Sequence, residues 1–315
     1  MLQDIFTRPG EEKPDLPPII EAVLLILAIM LGIILGLGLN ALWGMLFGFD
    51  PSNIKELIAD NPTAAVRNYL RLSALTSNGL MFIFPALFFS WFFYRKRWAQ
   101  SLQLTSVFRP SRLPWLVVFV FAGFFFSQFT FWLNQMLPLP ESALKLEEQT
   151  AGLIEAIITM ESLPEFLFAL LTVAVVPAVG EELLFRGIIQ HRLEEISRRP
   201  HLAIIVTAIL FSFIHFQFAG FLPRIVLGLL LGYIFYWTRN LWMSILAHFL
   251  INGVQVATAF FMKNQIENIE KPDLTQIPAS QMLLTAAISL IFIYLAGNWF
   301  HKHKERTTEI SASEI

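Results

Sequence analysis

Cysteine is missing altogether from the 315 residues. That excludes a disulfide framework, iron–sulfur clusters, thiolate zinc sites and cysteine-nucleophile proteolysis. Charge is scarce as well: Asp, Glu, Lys and Arg make up 15% of the chain, where soluble domains hold about a quarter. The charges nearly cancel, to −2, and no basic stripe is present, so nucleic acid is not expected as a partner. No internal repeat and no low-complexity tract breaks the sequence. What fills it is apolar, 56% hydrophobic with 31 Phe, the balance of an integral membrane protein whose first partner is the lipid bilayer.

A span of bilayer takes about 20 apolar residues. By that measure the expected fold class is all-α and polytopic, with about eight transmembrane helices near 19–44, 74–94, 114–136, 165–190, 202–219, 222–238, 241–262 and 281–299. The first apolar run, Ile19 to Phe47, is too long for a signal-peptide core and reads as a retained span. Turn-formers such as Asp50-Pro51, Arg199-Pro200 and Leu222-Pro223 sit between the runs.

An even number of spans leaves both termini on one side. That side then collects fifteen of the 22 Lys and Arg residues, including Arg95, Lys96, Arg97, Arg198, Arg199 and Arg239. The other side receives seven, Lys55, Arg67, Arg71, Lys145, Arg224, Lys263 and Lys271, and the acidic loop ESALKLEEQTAGLIEAIITMESLPE. The positive-inside rule puts the termini in the cytoplasm of a multi-pass cell-membrane protein, and Trp98, Trp115, Trp237 and Trp242 stand where interfacial anchors belong. The expected organisation is a cytoplasmic tail (1–18), an N-terminal region of three spans (19–163), a core bearing the polar residues (164–262), an outer loop with the last span (263–300) and a cytoplasmic tail (301–315). GIILG at Gly32–Gly36 and GLLLG at Gly228–Gly232 read as close-packing faces.

Few strongly polar residues fall inside the spans: Glu181, Glu182 and Arg186 in the fourth, His215 in the fifth, His248 and Asn252 in the seventh. An ionisable residue in hydrocarbon marks a functional site by default. If the fourth and fifth spans fold back near residues 198–199, Glu182 and His215 lie at equal depth, each roughly 25 Å along its helix at 1.5 Å per residue. His248 and Asn252, four residues apart, share one helix face.

The two glutamates differ. Glu182 stands four residues before Arg186, the favourable order for a helical ion pair, and burial makes such pairing close to obligatory. Glu181 points about 100° away and has no such partner. A carboxylate stripped of water and counter-ion holds a proton more tightly than one in solution, as a general base working at neutral pH must. Amide hydrolysis uses this set: Glu181 with His215 to hold and deprotonate a water, His248 and the Asn252 amide to donate to the oxyanion. The same side chains offer a second reading, because Glu181, His215 and His248 also make a zinc set with an open water position. Against it, H-E-x-x-H is absent, and a ring nitrogen donating to an oxyanion cannot also bind metal. A proton-coupled transporter would use Glu181 and His215 as a relay, yet the sequence lacks the inverted repeats of such carriers. A non-catalytic immunity or scaffold protein is the other alternative.

Three ordered motifs, EELLFR (Glu181–Arg186), FSFIH (Phe211–His215) and HFLIN (His248–Asn252), resemble the E-E-x-x-x-R, F-x-x-x-H and H-x-x-x-N of the CPBP intramembrane endopeptidases. That family includes type II CAAX prenyl proteases and bacteriocin-processing or immunity (Abi-like) proteins. The resemblance covers about 181–252. It implies a glutamic endopeptidase in an all-helical membrane fold, with Glu181 and His215 activating water and His248 and Asn252 forming the oxyanion hole. Glu182, Arg186 and Phe211 are the supporting residues, Phe211 as packing beside the site. It implies peptide or protein substrates, including ones with a lipidated C-terminus, and leaves the choice between no cofactor and zinc open. Pro177, four residues before Glu181, is expected to kink the fourth helix and widen the cavity between helices four, five and seven.

Overall fold

The computed structural model describes residues 16–59, 62–262 and 277–304, all helix, turn and loop without strand. The expectations for the tails at 1–15 and 305–315 and for the loop at 263–276 lie outside the described residues. Nine principal helices follow in order: α1 (Pro18–Phe47), α2 (Ala64–Ser101), α3 (Pro110–Gln135), α4 (Glu141–Ile158), α5 (Leu163–Ser197), α6 (Pro200–Phe213), α7 (Phe218–Thr238), α8 (Leu241–Phe261) and α9 (Ala279–Lys302). Seven of them, all but α4 and α6, are long and apolar enough to cross a bilayer. The chain is a polytopic membrane protein.

Two expectations need correcting. The fifth of the eight expected spans is short: α6 has 14 residues, about 21 Å at 1.5 Å per residue, against a hydrocarbon core of about 30 Å. It stops at Phe213, and the chain reverses through a turn in which Phe216 takes φ 50°. His215 therefore lies in that turn, beyond the helix end. The acidic stretch expected as a loop is largely the helix α4. Its Leu153, Ala156 and Ile157 recur at helical spacing and pack on Val66, Tyr69 and Leu70 at the start of α2.

Two apolar cores flank the centre. One joins α2, the middle of α5 and α6 through Phe82, Phe89, Phe93, Leu184, Phe185 and Phe211. The other joins α3, α7, α8 and α9 through Phe119, Leu231, Ile234, Met243 and Phe300. Glycines set how closely the helices approach. A Cβ on Gly32 would overlap the Leu80 carbonyl of α2, and one on Gly228 would come within 3.0 Å of Ala208 Cα in α6. Both small-residue faces thus act as packing surfaces.

Neither α2 nor α5 is regular. Each contains a π-helical turn, Gly79–Ile83 and Leu170–Val175, followed two residues later by a proline, Pro85 and Pro177. Proline offers no N–H and crowds the carbonyl four residues back; a widened turn just before it relieves both. The disturbance expected at Pro177 takes this form. The two irregular regions meet, with Gly180 against Phe82 and Ile83, where a Cβ would come within 3.0 Å of both side chains.

The start of α5 is tied down by charges that sequence reading assigned to an outer loop. Arg67 and Arg71 belong to α2 and are 3% and 0% exposed. Arg67 grips Glu165 through Nε and Nη2, both at 2.9 Å, and Arg71 Nη1 reaches Glu165 at 3.2 Å. Arg71 also donates to the carbonyls of Ile157 and Thr159, fixing the link from α4 into α5. One buried carboxylate thus serves two guanidiniums. Glu165→Gln should lower stability by about 3–5 kcal/mol, because it strands buried charge. A thermal melt of the purified variant matching wild type would show that the cluster is dispensable.

Candidate active site

Residue 182 is the structural hub. Glu182 and Arg186 are both fully buried, and their ion pair spans one turn of α5 at 2.8 Å. Arg186 continues to the carbonyl of Gly228 in α7 at 3.0 Å and lies over the Phe211 ring of α6, 4.8 Å from its centre. The Gly228 contact ties this charge network to α7. The expected pairing of Glu182 with Arg186 is what the structure has. It adds one partner that the sequence spacing does not show: Glu182 also accepts from Nδ1 of His248, at 2.9 Å.

Glu181 points elsewhere. It is 5% exposed, and its Oε2 has no hydrogen-bond partner among the described residues. It lines a cavity of about 470 Å³ together with His215, His248, Asn252 and Phe211. All four expected catalytic side chains therefore face one space. Its nearest cationic or imidazole group is His248, whose Nε2 stands 3.9 Å from Oε2. Between Glu181 and His215, which shares the cavity wall, no direct hydrogen bond forms.

Both imidazoles have a defined tautomer. His215 Nδ1 lies 2.8 Å from the Phe211 carbonyl, and His248 Nδ1 faces the ion-paired Glu182 carboxylate. Each partner can only accept, so in the neutral ring the proton sits on Nδ1 and the lone pair on Nε2. This gives the F-x-x-x-H spacing a physical cause: the carbonyl four residues back orients the ring. The Phe211 ring does more than fill space. It meets His215 edge-on at 5.2 Å and His248 at 5.9 Å, while Arg186 covers it.

Asn252 is placed by Pro177. In α-helical register the Val173 carbonyl would take the N–H of residue 177, which proline lacks; Asn252 Nδ2 donates to it at 3.2 Å. The amide has a second N–H to give. Among the described residues no group of three or more His, Cys, Asp or Glu side chains is arranged to hold a metal ion. Glu181, His215 and His248 line a common wall without converging on a coordination centre, so the zinc reading does not fit this arrangement. Sequence reading missed four polar residues of the cavity wall, Ser127, Gln128, Arg224 and Gln255. Arg224 was placed at the outer end of the span expected at 222–238 and not counted among the intramembrane polar residues, and the amides carry no sequence signal apart from their helices.

Residues 163–254 match the family model for type II CAAX prenyl endopeptidase Rce1-like proteins, and this stretch is a domain of that family. The uncharacterized protein YpbD of Bacillus subtilis (strain 168) is 29% identical over 107 residues, 33% of this chain and 50% of that protein. The chain thus matches about half the length of this relative. No solved structure matches.

The tautomers can be checked directly. Nitrogen-15 spectra of histidine-labelled protein should show neutral His215 and His248 rings protonated at Nδ1, and a ring protonated at Nε2 alone would contradict the geometry. Glu182→Ala should cost about 3–5 kcal/mol in thermal stability, since it leaves the Arg186 charge buried and unpaired. Glu182→Gln, which keeps the shape and a hydrogen bond, should cost less.

Proposed function

From an Rce1-like domain at residues 163–254, we propose that this chain is an intramembrane endopeptidase that hydrolyses a peptide bond with a water activated by Glu181 and His215. The carrying observation is the Glu181 carboxylate: buried, with Oε2 unpartnered, and facing a cavity shared with His215, His248 and Asn252. A carboxylate held dry in a cavity shared with the His215 lone pair is a base in search of a proton donor. A water entering the cavity supplies one. Glu181 takes its proton, the hydroxide attacks the scissile carbonyl, and the protonated Glu181 then delivers that proton to the leaving amine.

The oxyanion is met by Asn252 and His248. Asn252 keeps one N–H on Val173 and gives the other to the oxyanion, so its donor is fixed before substrate arrives. His248 donates from Nε2 only when the ring is doubly protonated, and its charge then lies between Glu182 at Nδ1 and Glu181 at Nε2. Glu182 is a positioning residue here, because it holds the ring without touching the reacting atoms. No step passes through a metal.

Substrates are peptides that enter from the bilayer side. Phe124, Phe131, Leu227 and Ile251 give the cavity an apolar wall, suited to a hydrophobic or lipid-bearing segment. The helix ends bearing Arg95, Arg198, Arg199 and Arg239 face the cytoplasm, by the excess of basic residues there.

Cleavage of a randomised peptide library by the purified protein in detergent tests this reading. Glu181→Gln should slow turnover by about 10²–10⁴, and Asn252→Ala should lower kcat by about 10²–10³ with little change in KM. A chelator should leave the wild-type rate unchanged. Glu181→Gln cleaving as fast as wild type would sink the assignment, and chelator inhibition reversed by zinc would turn His215 and His248 into ligands.

A further inference from the structure

The same cavity contains a second charge that the hydrolytic scheme leaves unused. Arg224, in the second turn of α7, lines the wall that carries Glu181 and His215. Among the described residues no carboxylate lies within ion-pair distance of it. Glu147 and Glu181 act on its charge only from beyond that distance, and Glu147 accepts from the backbone N–H of Ala219 at 2.9 Å. A cation in a membrane-spanning segment without a counter-ion is expensive to keep.

The guanidinium is nevertheless held in one orientation. Nη1 donates to the Gln217 carbonyl at 2.6 Å and Nη2 to the Gln217 side-chain oxygen. The group lies so close over Gly220 that a Cβ there would come within 2.7 Å of Nη2, so any larger residue would displace it. Three of the five N–H donors of the planar fork stay uncommitted, in the geometry that suits a carboxylate.

Resting on the endopeptidase reading, we propose that Arg224 is the substrate anchor: a peptide binds with a carboxylate on Arg224 while its scissile carbonyl lies at Glu181. A cavity of 470 Å³ is on the order of 8 Å across, roughly two to three residues of extended chain. The carboxylate is accordingly that of a residue close to the cleaved bond, either an acidic side chain or a free C-terminus. Binding neutralises the lone cation, so the anionic peptide gains affinity that a neutral one lacks, and the site selects by charge as well as by apolar fit.

The test uses four versions of a randomised octapeptide library: with and without Asp and Glu, each with free or amidated C-termini. Retention is measured on Glu181→Gln protein, with Arg224→Gln and Arg224→Lys added in that background, and KM and kcat are measured with Glu181 intact. Carboxylate-bearing libraries should be retained at least tenfold better than the acid-free amidated one. Arg224→Gln should abolish the preference and raise KM tenfold or more with kcat within about threefold; Arg224→Lys should restore part of it. The two single-carboxylate libraries show which source the site takes. Equal retention of all four libraries, or a fall in kcat at constant KM in a variant that melts like wild type, would overturn the anchor while leaving Glu181-dependent cleavage standing. An Arg224-dependent preference in a protein that cleaves none of the libraries would support the anchor and sink the endopeptidase reading.

Discussion

Glu182 and Arg186 sit one turn apart on α5, both cut off from solvent, 2.8 Å from nitrogen to oxygen. Charges of this kind are tolerated in a membrane protein only when every neighbour cooperates, because either one alone would be strongly destabilising. The cooperation comes from three helices. α7 offers the Gly228 carbonyl, α6 the Phe211 ring and α8 the His248 Nδ1–H. Each contact fixes the distance and rotation of its helix relative to α5. The pair therefore determines where the cavity is, and the residues lining the cavity inherit their orientation from it.

A second buried cluster performs the same task at the other end of α5. Glu165, with Arg67 and Arg71 of α2, fixes the helix start, while the π turns before Pro85 and Pro177 absorb the missing N–H groups between the two anchors. An α5 held at both points can carry an irregular middle. The irregularity is productive, because the carbonyl that Pro177 leaves without its helical donor is the one that receives Asn252. A proline in α5 thereby orients an amide in α8.

Local spacing was the legible part. The i, i+4 pattern of Glu182 and Arg186 gave their ion pair, the four-residue step of His248 and Asn252 gave their shared face, and apolar runs located the seven long helices, with α2 running about ten residues beyond its run at the start. Quantities that depend on tertiary contact were not legible. The fifth expected span came out short because hydropathy continues through Ile214 and Phe216, whereas the backbone reverses there with φ of 50° at Phe216. Arg224 fell within the span expected at 222–238 without being counted among the intramembrane polar residues, while Arg67 and Arg71 looked like loop cations because they lie just before a hydrophobic run. Their helices extend further than the runs do, and in the case of Arg67 and Arg71 the partner carboxylate lies more than ninety positions away. The bond from His248 to Glu182 crosses 66 positions, and no periodicity reports such a contact.

Adjacent glutamates, rotated about 100° from each other on one helix, divide two kinds of work. Glu182 has its Oε1 shared by a guanidinium and an imidazole and belongs to the folded core. Glu181 has an oxygen with no partner, and around it stand the Nε2 atoms of two histidines and the spare N–H of an asparagine. Every one of these open groups is attached to a residue whose other polar atom is already bonded to the scaffold: His215 through Phe211, His248 through Glu182, Asn252 through Val173. Saturating one end of a side chain and leaving the other end free is how a protein holds a reactive group rigid without quenching it. On the proposed reading the chemistry uses the free end of each of these side chains, while its bonded end holds the scaffold together.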